Sequence, residues 1–305
     1  MPRRVWSSRP LRVGTGRCLS AYGALPPGWS AQGRLMQIDN EIYETYGDGW
    51  WAEDAGFDFS SLRYCMNPVR YAYFKGKLER LPLPGNMVLD VGCGGGFLAE
   101  EFAQDGFTVT GIDPAARSIA AARKHAAHSG LTIDYRVGRG EALPFSDGSF
   151  DIVACCDVLE HVDDLGTVIV EAARVLKTGG VFFYDTVNRT LLSRIVLIKI
   201  WQEWRITRFL PSNAHVWDKF IRPNELDDAL GSCGLTNQEM RGISPRRRNP
   251  VALLWTLRAI RKGAIRNEEL GDRMGLCETD DMSISYMGYA LKFPDKPYHI
   301  ELRTR

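Results

Sequence analysis

The chain has 305 residues, 45% hydrophobic and 25% charged, proportions of a globular protein with room for one large α/β domain or two small ones. A formal net charge of +1 excludes a general nucleic-acid binder, which would carry a marked basic excess. No apolar run approaches the roughly 18 residues of a spanning helix, and seven cysteines, an odd number with no Cys-x-x-Cys pair, point to reduced thiols in an intracellular compartment.

Residues 1–38 hold Arg3, Arg4, Arg9, Arg12, Arg17 and Arg34 and no acid, so the rest of the chain is net acidic. That composition fits an organelle transit peptide, and equally a start placed too early with Met36 as the real beginning. The segment is expected to be disordered or absent from the working protein. Residues 39–80 read as helical. Asp39–Trp51 mixes acids with aromatics, and Asn67-Pro68 reads as a capping pair opening a helix to Leu78. Such a helix would lid the open side of a ligand site. Its Arg70 is either a charge-assisted partner for a ligand carboxylate or an ordinary solvated arginine.

The most informative stretch is Met87-Val88-Leu89-Asp90-Val91-Gly92-Cys93-Gly94-Gly95-Gly96, an apolar run closing on an acid and then a glycine cluster, with helical spacing from Phe97. That pattern places a strand-to-helix turn against a ligand. A second apolar run, Phe107–Ile112, ends in Asp113, where an acid can receive a pair of ribose hydroxyls. A dinucleotide site would want Gly-x-Gly-x-x-Gly and no carboxylate beside the pyrophosphate. Asp90 sits close to the turn and suits a cationic ligand better. A plain glycine-rich connector is the remaining alternative.

Apolar runs at 86–91, 107–112, 132–137, 150–155 and 180–186 alternate with helical patterns at Pro114–Ser129 and Leu165–Leu176, the latter stopped by Lys177-Thr178-Gly179-Gly180. This is the rhythm of parallel strands joined by crossover helices, an α/β fold. After the fourth run comes Asp157-Val158-Leu159-Glu160-His161. If the chain turns helical at Asp157, Asp157, Glu160 and His161 share one face beyond the carboxyl end of a central strand, where open α/β sheets place ligands. Two carboxylates and an imidazole can hold Mg²⁺. His161 can instead be a general base or touch substrate, and a structural role is the third reading. The segment 191–211, with dense apolar residues, Trp201 and Trp204, and mostly basic charges, fits an amphipathic helix lying in a membrane interface or a lid over a greasy ligand. Arg246-Arg247-Arg248 with Arg258, Arg261, Lys262 and Arg266 could add attraction to anionic lipid. Further strand-like runs lie at Thr236–Gly242 and Ser283–Lys292.

The turn Leu89–Gly96 resembles motif I of the class I S-adenosylmethionine-dependent methyltransferases. With Trp50-Trp51, Asn67-Pro68-Val69-Arg70, Val109–Asp113, Asp157–Val162, Asn188-Arg189 and Lys219-Phe220-Ile221-Arg222-Pro223, the chain resembles the ubiquinone-biosynthesis O-methyltransferases, which methylate polyprenyl catechols and 6-hydroxyphenols. The likeness runs from about Ile38 to Phe293 except after Pro250. It implies a Rossmann-like seven-stranded sheet with helices on both faces, closed by an antiparallel terminal pair and covered by the helical lid at 39–80, with residues 81–305 as the methyltransferase domain and 188–215 as an insertion. It implies S-adenosylmethionine contacts at Arg70, Gly92, Asp113 and Cys156, with Asp90 and Gly94 completing the turn, and Mg²⁺ ligands at Asp157, Glu160 and His161. Asp157 departs from the family's glutamate and reaches about one methylene less. Arg139 stands where many such enzymes place an acid for the adenine amine and cannot accept that bond. The expected acceptor is a hydrophobic phenol or quinol, with His161 or His215 taking its proton, although a lone His215 also reads as structural. The family uses the segment 191–211 of this insertion for membrane association, so the protein is expected in the cytoplasm or on a membrane surface, on the matrix side if 1–38 is a transit peptide. Methylation of another small molecule, favoured by the extra residues at about 253–275, and a non-catalytic cofactor-binding scaffold are the rival readings.

Overall fold

The computed structural model describes residues 41–52, 57–205, 210, 214–246, 256, 259, 264 and 266–294. The arginine-rich 1–38 segment and the basic positions Arg247, Arg248, Arg258, Arg261 and Lys262 lie outside these. The described elements are helix α1 (Glu41–Tyr46), α2 (Phe57–Ser61), a π-helical turn (Leu62–Met66), α3 (Asn67–Leu78), β1 (Met87–Val91), α4 (Phe97–Gln104), β2 (Thr108–Asp113), α5 (Ala116–His128), β3 (Asp134–Val137), β4 (Phe150–Cys156), α6 (Leu165–Val175), β5 (Leu176–Val187), α7 (Leu191–Ser193), a second π-helical segment (Arg194–Glu203), α8 (Pro223–Ser232), β6 (Leu235–Pro245), α9 (Leu270–Met274), β7 (Leu276–Thr279) and β8 (Ser285–Lys292).

One sheet runs β3-β2-β1-β4-β5-β8-β6-β7. β1 to β5 are parallel, and β8, β6 and β7 add antiparallel. The central strands are covered on both faces, which is why all seven residues of β4 are buried and its sequence shows no polar alternation. Side-chain alternation still divides the core. Leu89, Val91, Val153 and Phe182 pack with α6 and α8 on one face, and Val88, Ile152 and Phe183 pack with Phe74, Phe102 and Ile119 on the other. Strand order reverses between β1 and β4, and their carboxyl ends therefore open a crevice. No helix among the described residues is long and apolar enough to cross a membrane.

Four sequence expectations change. The sheet has eight strands rather than seven. β7 is added because Gly275, with φ 54°, turns the chain out of α9 so that Leu276–Thr279 can pair with Gly242–Pro245. α3 does begin at Asn67-Pro68, but these residues are not a capping pair, because a π-helical turn runs straight into them and no side chain caps the start. Asn67 is itself helical, and the wider π-helical turn just before Pro68, where Asn67 N–H donates to Leu62 O, lets the chain continue despite the missing proline N–H. Lys177–Gly180 does not close α6 as a loop. β5 starts at Leu176, and these residues form the bulge across which pairing with β4 jumps from Phe150↔Leu176 to Ile152↔Val181. Finally, Asp157 is not helical; it has φ 53°, and a single turn with His161 N–H on Val158 O follows.

The insertion packs as well as projects. Leu197 and Ile198 are buried against Val187 and Phe220, whereas Leu191, at 73% exposure, Leu192 and Ile195 face outward. Thr190 and Ser193 cap its start reciprocally.

Candidate active site

The glycine turn is held from both sides. Gly92 N–H donates to Ile112 O at 2.7 Å, and Gly94 N–H donates to Asp113 Oδ2 at 2.9 Å, while Asp113 Oδ1 accepts from Ala115 N–H at 2.8 Å. Each Asp113 oxygen thus keeps a lone pair for a ligand. Burial pushes the Asp113 carboxyl up to about 6, opposed by those two N–H donors. Gly94 has φ 50°, and a Cβ there would lie 2.6 Å from the Trp50 ring. The glycines therefore accommodate an aromatic neighbour as well as a ligand, which the sequence did not disclose. Trp50 donates through Nε1 to Ser118 Oγ at 2.9 Å, and Trp51 through Nε1 to Gly95 O at 2.7 Å. Trp51 also stacks on His125, with ring centroids 3.3 Å apart.

Behind this turn, Asp90 is 2% exposed and its Oδ2 has no hydrogen-bond partner. Burial pushes its carboxyl up to about 7; Arg70 opposes and Asp113 adds to the shift. Arg70, at the same depth, is paired to Asp157 and, through Nε at 2.8 Å, to Asp185. Burial works against its charge, but the two aspartates outweigh it and hold the guanidinium protonated. Asp185 closes the apolar run of β5 as Asp90 and Asp113 close theirs, a signal the sequence reading passed over. Its Oδ1 accepts the N–H of Asp157 at 2.8 Å.

All six cofactor positions expected from sequence, Arg70, Asp90, Gly92, Gly94, Asp113 and Cys156, line one cavity of about 460 Å³ at the crevice. A second, mostly apolar cavity of about 240 Å³ lies beside it, walled by the π-helical segment of the insertion, β6, β8 and α9. The two share Tyr43, Leu62, Asp157 and His161. His215 lines only the second, with its ring centroid 5.1 Å from that of His161. Burial pulls both imidazoles down, His161 to about 3 with His215 and Lys219 contributing, and His215 to about 4 against the attraction of Asp157. Both are neutral at physiological pH. Gln202 fixes the backbone of His215, accepting its N–H at 2.8 Å and donating to its carbonyl at 3.0 Å.

The proposed Mg²⁺ set does not converge. Glu160 lines neither cavity; it is 1% exposed and accepts the Thr186 hydroxyl at 2.8 Å, while Asp157 is engaged by Arg70. The cause is the positive φ at Asp157, which breaks the i, i+3, i+4 alignment that a helix would have imposed. Among the described residues no group of three or more His, Cys, Asp or Glu could hold a metal ion. The S-adenosylmethionine expectation fares differently. An unpartnered buried Asp90 oxygen suits an ammonium, Asp113 suits a ribose diol, and Arg70 is placed for a carboxylate.

A family model described as a methyltransferase domain matches residues 89–184. A ubiquinone biosynthesis O-methyltransferase from Hahella chejuensis is 37% identical over 251 residues, 82% of this chain and 92% of the relative. The chain belongs to the ubiquinone biosynthesis O-methyltransferase family. Another of these O-methyltransferases, from Marinobacter nauticus, is 39% identical over 223 residues, 72% of this chain and 89% of that protein. Among solved structures, magnesium protoporphyrin IX methyltransferase from Synechocystis PCC 6803, with bound SAH, superposes with a TM-score of 0.56 over 83% of this chain and all of that one. At 18% identity that likeness shows a shared class I methyltransferase fold and nothing of substrate. As a member of this O-methyltransferase family the protein is an S-adenosylmethionine-dependent enzyme.

Proposed function

We propose that the enzyme methylates a phenol or catechol hydroxyl on a hydrophobic, polyprenyl-quinol-like acceptor of ubiquinone biosynthesis, with the aromatic ring at the junction of the two cavities. The observation that carries this reading is the shared wall: the larger cavity, which we assign to the cofactor and call the cofactor cleft, and the apolar pocket have Tyr43, Leu62, Asp157 and His161 in common, and His215 lines the apolar pocket. S-adenosylmethionine, when bound, supplies an already activated methyl group on a sulfonium. The protein's share is alignment. The bound cofactor would give its methyl to the acceptor oxygen and keep the electron pair on sulfur, while the phenolic proton leaves to solvent, because burial makes both imidazoles too weak as bases to hold it. His161 lies on the shared wall and orients the reacting oxygen by hydrogen bonding; His215 lies next along the pocket. Apolar packing around the ring excludes water, and the rest of the pocket takes the acceptor's tail.

Transfer of labelled methyl from S-adenosylmethionine to a short-chain demethylubiquinol analogue tests the reading. Robust labelling of tailed catechols, and little of catechols lacking a tail, is expected. Labelling of no catechol or phenol would overturn it.

We further propose that the exposed Leu191, Leu192 and Ile195 dip into a membrane surface beside the pocket. These side chains cluster at the start of the insertion, next to Arg194, while its other face is committed to the core. Replacing Leu191 and Ile195 by glutamate should weaken co-flotation with anionic liposomes at least about tenfold, since each exposed side chain so buried is worth roughly 1.5 kcal/mol or more. Methylation of a short-tailed catechol presented without liposomes should be unchanged. Flotation equal to that of the parent protein would remove the membrane role.

A further inference from the structure

Residues beyond Pro250 contribute to the wall of the acceptor pocket. Met274 and Leu276 line this pocket and not the cofactor cleft, together with Cys65, Met66, Ile243 and Pro245. Their position is built in. Met274 is buried in a small cluster with Cys65 and Leu270, on which Leu276 packs. Helix α9 rests almost backbone to backbone on the π-helical turn before α3, since a Cβ on Gly271 would collide with the carbonyl of Tyr64. Gly275 then swings the chain so that Leu276 pairs with Pro245 of β6, which brings both side chains onto one wall.

We propose that Met274 and Leu276 are specificity-determining residues that set which apolar tail the acceptor carries. The inference rests on the tailed-acceptor reading above. The junction residues Tyr43, Leu62, Asp157 and His161 are shared with the cofactor cleft, so the ring must lie there to meet the methyl. A substituent on the ring is left the remainder of the pocket, and α9 and β7 bound it. Met274, unbranched and polarizable, conforms to a branched hydrocarbon, whereas Leu276 on a paired strand is a fixed stop. Discrimination of tail length is then a matter of hydrocarbon volume, in which single methylenes carry weight.

The test compares kcat/KM for catechols bearing one and three isoprene units. Met274→Ala should shift the ratio towards the longer tail by at least about tenfold, and Leu276→Trp should shift it the other way by a similar factor. The dissociation constant for S-adenosylmethionine should stay within about twofold of the parent value, because neither residue lines that cleft. Should Met274→Ala fail to fold, a photoreactive group on the tail of a catechol bound to the unaltered enzyme is expected to label the peptide spanning 270–276. An unchanged ratio in folded variants, or labelling that avoids that peptide, overturns the inference while leaving catechol methylation intact. Absence of methyl transfer to any catechol by the unaltered enzyme overturns the reading beneath it as well.

Discussion

Arg70→Ala is expected to cost about 3–5 kcal/mol of folding stability and to abolish measurable S-adenosylmethionine binding. The guanidinium is buried and paired to two aspartates, of which Asp185 is 1% exposed. Removing it leaves Asp185, whose carboxyl burial already raises, with only neutral partners, the Asp157 N–H and the Cys156 thiol. It also removes the positive charge nearest Asp90 and lets both carboxyls rise further. A carboxyl whose folded pKa is raised costs stability once the pH exceeds the unfolded value near 4, and the cost grows until the folded pKa is passed. The deficit of the variant should therefore be smaller at pH 5 than at pH 8. Arg70→Ala combined with Asp185→Asn should recover part of the loss at pH 8, since the amide has no charge to strand. Arg70→Lys should retain more stability than Arg70→Ala, because it keeps the charge, but bind the cofactor poorly, because one ammonium cannot serve the aspartates and a carboxylate with the same fork. Denaturant melts at the two pH values with cofactor titration check all of this. A deficit independent of pH, with no recovery in the double variant, would refute the pairing account.

The parts of this site legible in the sequence are those made by neighbours in the chain. β1, the glycine turn and α4 are continuous from Met87 to Gln104, and Asp113 announces itself by ending its own strand. Each of these is read from a local rule about backbone freedom or strand polarity. Arg70 was placed at the cofactor site, but its partners, 87 and 115 residues away, are brought to it only by the β4–β5 pairing. The same holds for His215, which reads as a lone structural histidine until the insertion folds back and sets it beside His161. Asp157 misled for the opposite reason. Its spacing with Glu160 and His161 is regular, yet the backbone leaves β4 with positive φ and sends Glu160 to Thr186. Spacing carries meaning only once the secondary structure is known. β7 was hidden because four residues carry almost no periodicity, and only the turn at Gly275 with a free edge on β6 makes them a strand.

His161→Gln should lower kcat by up to about 10²-fold through lost alignment of the acceptor oxygen, with little change in S-adenosylmethionine affinity, and His215→Gln should lower it less. His161 lies on the wall common to both cavities, whereas His215 is reached only from the acceptor side. Because burial holds the two imidazoles at about 3 and about 4, neither gains nor loses a proton between pH 6 and 8. The rate should accordingly show no inflection near the ordinary histidine value of about 6.5. It should climb instead with ionisation of the acceptor hydroxyl, and an electron-poor catechol should shift that climb to lower pH. The same depression has a stability signature of definite sign. The unfolded chain takes up protons at both histidines as the pH falls below about 6.5, and the folded protein does not, so stability must decline from there down to about pH 3 to 4. His161→Gln should blunt this acid loss even as it lowers turnover. A rate inflection near 6.5 that vanishes in His161→Gln would show the imidazole titrating normally and would rule out the buried neutral ring.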